Sequence, residues 1–317
     1  MNKRTYLVTG GAGFIGSHIV ERLVRDGHNV RVLDDLSSGH ETNLDSIRDG
    51  VEFIEGDIRD TKVVNEAVKG AHIVFHEAAL GSVPRSVADP VTTHEVNITG
   101  TLNVFLAARD AGVKRVVYAS SSSVYGETPV LPKREDMSPE PLSPYALSKL
   151  AGEHYASVFK HVYNFEIVSL RYFNIFGPRQ DPESQYAAVI PRFITALLNG
   201  KAPVVYGDGL QSRDFTSVEN VVNANLLASE ADGIAGQAFN VACGGRYTLL
   251  DLLAKTKEFL GSDIEPVHEA ARVGDVRDSQ ASIEAAQKAF GYRVSVDFAE
   301  GLEKTIEWYK RNNDLNS

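Results

Sequence analysis

Short apolar segments alternate with helical patterns along the first half of the chain. The apolar runs have the length of buried strands and lie at Tyr6–Thr9, Val30–Leu33, Val51–Ile54, Ile73–Phe75, Arg115–Tyr118 and Glu166–Leu170. The clearest helical patterns between them span Ser17–Arg25, Thr92–Ala111 and Tyr145–Tyr163. Strands that alternate with helices predict an α/β fold built on a doubly wound parallel sheet.

The alternation loosens from Asn174 onward. Strands are predicted at Val204–Tyr206 and Phe239–Val241. Helices are predicted at Tyr186–Asn199 with an interruption at Pro191, from Val218 with Ser217 as its cap, at Leu249–Leu260, at Ser282–Phe290, and in a last segment ending near Trp308. We expect residues 1–173 to form a dinucleotide-binding domain. Residues 174–317 would form a smaller α/β substrate domain, with some segments returning to the first.

Composition narrows the class of protein. A net charge of −10 argues against nucleic-acid binding, and no apolar run approaches the roughly 20 residues of a membrane span. Met1–Arg4 leads straight into a strand without a signal peptide, and Cys243 is the single cysteine. The nine histidines show no spacing typical of a metal site. We therefore expect a cytoplasmic protein with no metal.

A glycine-rich turn follows the first strand. Gly10, Gly13 and Gly16 fall within Gly10-Gly-Ala-Gly13-Phe14-Ile15-Gly16, directly before a helix. Such a turn lets the backbone approach a diphosphate at the helix N-terminus, where amide donors and the dipole favour negative charge. Asp34 ends the second strand, eighteen residues after Gly16. An acid there accepts hydrogen bonds from the adenosine ribose and repels a 2′-phosphate, so NAD is favoured over NADP.

Three further segments line the predicted cofactor site. Asp57, which precedes Ile58, has two interpretations: it contacts the adenine, or it caps the helix starting near Asp60. The sequence supports both equally. Small residues such as Ala78 would let the chain run close to the cofactor. We interpret the neighbouring His76 as a packed strand-end residue and expect Asn97 to bond loop backbone beside the cofactor.

Tyr145 and Lys149 are four residues apart on one predicted helix, with Ser143 as N-cap and Pro144 in the first turn. A neighbouring ammonium lowers the pKa of a tyrosine, which can then exchange a proton with a hydroxyl. The spacing alone is common on solvated helices. Ser120–Ser123 follow the fifth strand, where open α/β sheets bind ligands, although a serine-rich turn is the simpler interpretation.

Together these motifs identify a resemblance over essentially the whole length. The glycine turn, Ser121, Tyr145 with Lys149, Leu170–Asn174, Arg213–Phe215 and Gly274–Arg277 resemble the extended short-chain dehydrogenase/reductases, most closely nucleotide-sugar 4-epimerases of the UDP-glucose/UDP-N-acetylglucosamine type. The resemblance implies that Tyr145 is the base, that Lys149 holds the nicotinamide ribose, and that Ser121 bonds the oxidised hydroxyl. NAD would stay bound through a redox-neutral isomerisation, with Tyr172 near the nicotinamide.

The same resemblance implies a UDP-sugar site. Arg213 and Arg272 would hold the diphosphate with Asn174, and Ala188, Val189 and Tyr206 match uracil-contacting positions. The remaining implied sugar-nucleotide contacts are Ser82, Ser122, Ser123, Asp275 and Ser279. Because Ser279 is small where some family members carry tyrosine, the sequence favours UDP-GlcNAc and UDP-GalNAc, with UDP-Glc and UDP-Gal as the alternative or additional pair.

Competing functions differ in what they require. Dehydratases and decarboxylases of this scaffold carry a carboxylate after the Ser121 position, whereas this chain has Ser122 and Ser123. A reductase or dehydrogenase would consume free cofactor. A dinucleotide sensor without catalysis needs no base, so the Tyr145 and Lys149 set argues against it. Family members are commonly homodimers, and the helices near Thr92–Ala111 and Tyr145–Tyr163 are the expected contact.

Overall fold

The computed structural model describes residues 3–182, 188–271 and 277–313. Its strands are β1 Thr5–Thr9, β2 Asn29–Asp34, β3 Val51–Glu55, β4 Ile73–His76, β5 Arg115–Ser121, β6 Ile167–Tyr172, β7 Ile175–Phe176, β8 Val204–Tyr206, β9 Ser212–Arg213, β10 Thr216–Ser217, β11 Ala238–Val241, β12 Tyr247–Thr248 and β13 Val267–Glu269. Its helices are α1 Phe14–Arg25, α2 Thr61–Ala67, α3 Val83–Ala88, α4 Pro90–His94, α5 Thr101–Asp110, α6 Pro144–Tyr163, α7 Val189–Leu198, α8 Val218–Glu230, α9 Leu249–Leu260, α10 Glu284–Phe290 and α11 Phe298–Asn313. None of these helices combines the length and apolar character that crossing a membrane requires.

Seven parallel strands form the main sheet, in the order β11-β6-β5-β4-β1-β2-β3. Both faces are covered, because neighbouring strand residues enter different cores: Leu7 packs with α5 and α6, and Val8 packs with α1 and α8. Side chains alternate across a strand, so a strand buried on both faces is apolar throughout. The predicted doubly wound parallel sheet is confirmed.

The later part of the chain builds a smaller unit. Helices α7, α9 and α11 surround a separate core that contains Phe176, Phe215 and Val205. Three small sheets pair β10 with β7, β12 with β9, and β13 with β8. The chain also returns to the main sheet after residue 174, since β11 pairs with β6 and α8 packs on α1.

The local predictions hold at most elements and fail at two. Ser217 caps α8, and the pattern predicted at Thr92–Ala111 becomes a continuous helical run in which a π-helical turn at Glu95–Gly100 joins α4 to α5. The interruption expected at Pro191 was wrong, because this proline lies in the first turn of α7, where a missing N–H costs no helical bond. The last helix continues past Trp308 to Asn313.

Candidate active site

The glycine turn packs too closely for side chains. Gly10 has a φ of +67°, and a Cβ on it would lie 2.7 Å from the backbone nitrogen of Ala78. A Cβ on Gly16 would lie 2.1 Å from the carbonyl oxygen of Gly10. Helix α1 therefore rests directly on the turn, and its N-terminus faces the cleft. Backbone amides there fit the diphosphate of a dinucleotide.

Asp34 ends β2 as an almost fully buried carboxylate. Its Oδ2 accepts a hydrogen bond from the Ala12 N–H and its Oδ1 from the Leu36 N–H, both at 2.9 Å. Burial raises the pKa of Asp34, and the backbone donors oppose that effect. These two bonds fix the carboxylate at the edge of the cleft, where an acid fits the hydroxyls of an adenosine ribose.

The structure decides part of the question about Asp57. Asp60 is the N-cap of α2, since its Oδ1 accepts from Lys62 N at 2.8 Å. Asp57 instead accepts from the Arg59 backbone N–H at 2.7 Å and the Arg59 guanidinium at 2.6 Å. The capping interpretation of Asp57 was therefore wrong, and contact with the adenine stays a prediction.

One cleft of about 620 Å³ gathers many of the predicted residues at the carboxyl ends of the strands. Its lining includes the predicted Gly10, Gly13, Phe14, Ile15, Gly16, Asp34, Ile58, Ala78, Ser82, Tyr145, Lys149, Tyr172 and Ala188. The glycine turn, Asp34 and the Tyr145/Lys149 pair thus face a common space. Its donors and acceptors fit a bound dinucleotide.

Helix α6 presents Tyr145 and Lys149 to this cleft. Ser143 caps the helix by accepting from the Ala146 N–H at 3.1 Å, and Pro144 occupies its first turn. Lys149 is only 4% exposed, and its Nζ donates to the Ala119 carbonyl at 2.8 Å. Ser121 ends β5, and its side chain is close enough to the Tyr145 hydroxyl to lower the tyrosine pKa. The cap and the strand end therefore bring the three predicted catalytic groups together.

The pKa of Tyr145 differs from the expectation. Burial raises it, a charge on Glu77 raises it further, and the hydrogen bond with Ser121 lowers it. Lys149 does not reverse this, because its Nζ lies 6.0 Å from the Tyr145 ring centroid and burial lowers the lysine pKa to about 8. In the protein alone, desolvation outweighs the ammonium, so the expected lowering of the Tyr145 pKa is not found.

Glu77 is a cleft residue that the sequence prediction missed. It follows β4 directly, and its Oε1 accepts from the Tyr172 hydroxyl at 2.8 Å. Burial raises the pKa of Glu77 to about 7. The site was expected to contain hydroxyl groups without a carboxylate near the serines, whereas this carboxylate enters from another strand. Its position after a buried strand, next to small residues, was the available signal.

Two neighbouring polar residues hold the backbone of the cleft. Asn97 is buried; its Oδ1 accepts from Leu80 N at 2.8 Å and its Nδ2 donates to Leu80 O at 3.2 Å. His76 is fully buried between the hydroxyls of Thr9 and Thr101, at 2.7 and 2.9 Å. Burial lowers the pKa of His76 to about 3, so it packs as a neutral residue and takes no proton in the cleft.

The serine segment after β5 is a short 3-10 turn. Ser121 caps it by accepting from the Ser123 N–H at 3.2 Å, and the Ser123 hydroxyl donates to Ser121 at 2.9 Å. Ser122 begins the turn. Ser82, by contrast, lines the cleft and caps α3 by accepting a hydrogen bond from the Arg85 N–H at 3.2 Å. This bond leaves the Ser82 hydroxyl able to form further hydrogen bonds.

The lining of this cleft does not include five of the predicted sugar-nucleotide residues: Asn174, Val189, Tyr206, Arg213 and Ser279. Asn174 donates to Ser279 Oγ and to the Asp214 carbonyl, each at 3.4 Å, and Ser279 is 9% exposed. Arg213 donates to the Ser212 carbonyl at 2.9 Å from the small β9 strand. Val189 begins α7, and Tyr206 ends β8 beneath the Arg192 guanidinium, 5.7 Å from the ring centroid. Arg272 and Asp275 lie outside the described residues.

A loop after β7 supplies cleft residues that the sequence prediction also missed. Gln180 and Asp181 line the cleft. The loop is fastened to α1, because Arg179 donates to Glu21 at 2.5 Å and the Pro178 carbonyl lies 3.0 Å from the His18 ring nitrogen. Within the described ranges, no group of three or more His, Cys, Asp or Glu side chains is placed to hold a metal ion.

Known proteins match this chain over nearly their whole length. The model of the NAD dependent epimerase/dehydratase family matches residues 6–242. This chain belongs to that family. A UDP-glucose 4-epimerase from Mycolicibacterium smegmatis is 41% identical over 308 residues, which cover 96% of this chain and 98% of that protein.

Solved structures agree with the family assignment. A UDP-N-acetylglucosamine 4-epimerase from Methanobrevibacter ruminantium, in complex with UDP-N-acetylmuramic acid, is 42% identical with a TM-score of 0.94, and the match covers 98% of this chain and 100% of that one. A UDP-glucose 4-epimerase from Thermotoga maritima, with UDP-glucose, is 37% identical with a TM-score of 0.93, covering 98% and 99%. The predicted family resemblance is confirmed, and so is NAD as the cofactor of this epimerase/dehydratase family.

Proposed function

We propose that this chain is an NAD-dependent UDP-hexose 4-epimerase, an isomerase that interconverts C4 epimers through a 4-keto intermediate. The proposal depends above all on Tyr145 and Lys149, which line the cleft that also contains the glycine turn and Asp34, with Ser121 beside Tyr145. A base, a hydroxyl partner and a dinucleotide site in one cleft are what hydride transfer at an alcohol carbon requires.

Each catalytic side chain has a distinct task in this proposal. Tyr145 takes the proton from the sugar O4 and later returns it, while Ser121 holds the same oxygen by a hydrogen bond. Lys149 bonds the nicotinamide ribose through N–H groups other than the one that reaches the Ala119 carbonyl. NAD⁺, when bound in this cleft, would supply the hydride acceptor for C4, and its positive charge would favour the phenolate of Tyr145. The 4-keto sugar turns within the cleft before the hydride and proton return to its opposite face.

The substrate range remains a proposal, with UDP-GlcNAc and UDP-GalNAc favoured and UDP-Glc and UDP-Gal as additional substrates. Ser279 is small and lies beside Asn174, which leaves the sugar end without a bulky aromatic at that position. We assign the diphosphate to Arg213, Arg272 and Asn174, and the uracil to Ala188, Val189 and Tyr206. Residues 174–317 would thus bind mainly the sugar nucleotide, and residues 1–173 mainly NAD.

The substrate proposal is tested by supplying purified protein, without added cofactor, with UDP-GlcNAc and separately with UDP-Glc. Formation of the C4 epimer, resolved by NMR, is expected with UDP-GlcNAc, and the Tyr145→Phe variant serves as the inactive control. Conversion of UDP-Glc alone would keep the 4-epimerase and reject the argument from Ser279. Failure of both substrates, with NAD present in the protein, would contradict the proposed function.

We also propose a homodimer that forms through α6 and the helical run from α4 to α5. One face of α6 exposes Leu147, Val158 and Val162 by 55, 49 and 64%, and Val91 nearby is 66% exposed. Apolar residues at this helical spacing form an exposed stripe along one face of α6, which in a monomer would face water.

Since sugar nucleotides and NAD are cytoplasmic metabolites, we further propose that the enzyme is cytoplasmic.

Charges on this stripe are expected to separate the protomers. The double variant Val158→Asp/Val162→Asp should elute as a monomer whose mass, measured by light scattering, is half that of the wild type, because two unpaired carboxylates cannot be buried in the contact. Leu210→Asp is the matched control, since Leu210 is 52% exposed on a loop away from α6. A monomeric wild type, or a doubly substituted protein that stays dimeric, would reject this interface.

A further inference from the structure

Glu77 occupies a fixed position beside the catalytic pair. Its backbone N–H donates to the Thr9 carbonyl at 3.1 Å, and the Gly10 turn lies against it, so that a Cβ on Gly10 would come within 3.0 Å of the Glu77 carbonyl carbon. The residue is therefore held between the ends of β1 and β4. Its side chain lines the same cleft as Tyr145 and Lys149.

A chain of hydrogen bonds orients the Glu77 carboxylate. The amide nitrogen of the buried Asn225, on α8, donates to the Tyr172 hydroxyl at 2.8 Å. That hydroxyl donates in turn to Glu77 Oε1 at 2.8 Å. Since Tyr172 is a donor here, the bond favours the ionised carboxylate. The other oxygen, Oε2, has no hydrogen-bond partner among the residues that the structure describes.

Glu77 is the charged group that acts on both members of the catalytic pair. Its charge raises the pKa of Lys149 against the lowering caused by burial, and it raises the pKa of Tyr145. The other titratable groups around Lys149 come from each packed strand: His76 on β4, Tyr118 on β5 with its ring centroid 5.1 Å from Nζ, and Tyr172 on β6. His76 stays neutral, and burial raises the pKa of both tyrosines so that they stay protonated; none of the three therefore carries a charge that competes with that of Glu77.

We propose that Glu77 is a positioning residue for the reaction: its carboxylate, which the Tyr172 hydroxyl holds in the cleft that Lys149 and Tyr145 also line, is the negative charge that balances the Lys149 ammonium beside the catalytic tyrosine. This role rests on the proposed function for its kinetic consequence. It does not require Glu77 to touch the sugar. Glu77 acts through Lys149 and Tyr145, both of which face the same cleft.

Removing the charge of Glu77 should shift the pKa values of Lys149 and Tyr145 in a definite direction. Without the carboxylate, Lys149 loses its proton at a lower pH, and Tyr145 becomes a phenolate at a lower pH. Because the pKa of Glu77 is about 7, its charge is present mainly above that pH. If activity needs the ammonium of Lys149 and the phenolate of Tyr145, the parts of both limbs of the pH–rate profile that lie above pH 7 move in the acid direction. A neighbouring charge shifts a pKa by about 1 unit or more, so these parts of the profile are expected to move by about 1 pH unit.

The test compares Glu77→Gln, which keeps the shape and removes the charge, with Glu77→Asp, which keeps a carboxylate. The Gln variant should show the acid shift in both kcat limbs, and the Asp variant should restore most of the wild-type profile. Glu77→Leu carries the same expectation if the amide does not fold, since an apolar side chain of similar volume suits a buried site. The control is Glu66→Gln, which removes a carboxylate that is 67% exposed and should shift nothing.

A second readout needs no turnover. The phenolate of Tyr145 absorbs in the ultraviolet, and the difference between each protein and its Tyr145→Phe counterpart isolates its titration. The phenolate should form about 1 pH unit lower in Glu77→Gln than in the wild type. Lower activity with unmoved limbs and an unmoved phenolate titration would overturn the proposal, leaving Glu77 a structural role. If the wild type turned over no UDP-hexose, the proposed function would fail, but the phenolate titration would still decide the role of Glu77.

Discussion

Replacing Tyr145 by phenylalanine should lower kcat by about 10³-fold, because the variant loses the group that accepts and returns the O4 proton. The fold should survive, since only a hydroxyl is removed and Ser121 keeps its bonds to the Ser123 backbone and side chain. Bound NAD should also remain, because the glycine turn and Asp34 are untouched. Steady-state kinetics and the NAD released on denaturation measure the two effects separately.

The matched control is Tyr155→Phe on the same helix. Its ring packs against Phe159, with centroids 6.5 Å apart, and the substitution removes one hydroxyl outside the cleft. Its activity should stay within about twofold of wild type. A Tyr145→Phe enzyme with near wild-type kcat would remove Tyr145 from the chemistry. Loss of NAD together with loss of activity would instead make Tyr145 a binding residue.

Replacing Arg171 by leucine should cost about 3–5 kcal/mol in the free energy of unfolding, because it leaves the Glu153 carboxylate buried without its partner. The two side chains are 5 and 7% exposed and make paired bonds, Nε to Oε1 at 2.9 Å and Nη2 to Oε2 at 2.7 Å. Arg171 also donates to the Tyr125 hydroxyl at 2.7 Å. Urea denaturation measures the loss.

A double variant distinguishes the loss of the Glu153–Arg171 ion pair from the loss of buried side-chain volume. Glu153→Leu/Arg171→Leu should recover most of the lost stability, because burying two apolar side chains costs less than burying one unpaired charge. The control is Lys304→Met, which breaks exposed pairs with Glu300 and Glu219 and should change stability by less than about 1 kcal/mol. A single Arg171→Leu variant as stable as the control would show that the buried pair contributes nothing.

This pair matters for function because Glu153 lies on α6 four residues after Lys149. Glu153 also accepts a hydrogen bond from the hydroxyl of Ser120, which precedes Ser121 on β5. The network therefore links the helix that carries Tyr145 and Lys149 to the strand that carries the serine partner. We expect the stabilised geometry of the catalytic groups to depend on it.

Local patterns were sufficient to predict the framework of the site. The i, i+4 spacing of Tyr145 and Lys149, the Ser143 cap and the position of Asp34 at a strand end all depend on neighbouring residues. Apolar strands buried on both faces likewise give a strong signal along the chain. These features need no long-range contact to be recognised.

Long-range contacts explain what the sequence prediction missed. Glu77 becomes a site residue because Tyr172 and Asn225, 95 and 148 positions later, orient it from other elements. The pKa of Tyr145 depends on burial, which an isolated helix pattern does not contain. Pro191 was mistaken for an interruption because the start of α7 is set by tertiary packing that places the proline in its first turn.

The proposed hydride transfer is tested most directly by tracing the hydrogen at C4 through the reaction. UDP-hexose deuterated at C4 is incubated with purified protein in ordinary water and without added cofactor, and the product is analysed by NMR and mass spectrometry. A 4-epimerase that uses bound NAD should give a C4 epimer that keeps its deuterium, because the hydride taken from C4 would return to the same carbon. An epimer that has exchanged C4 hydrogen with solvent, or a product formed only when free cofactor is consumed, would contradict it.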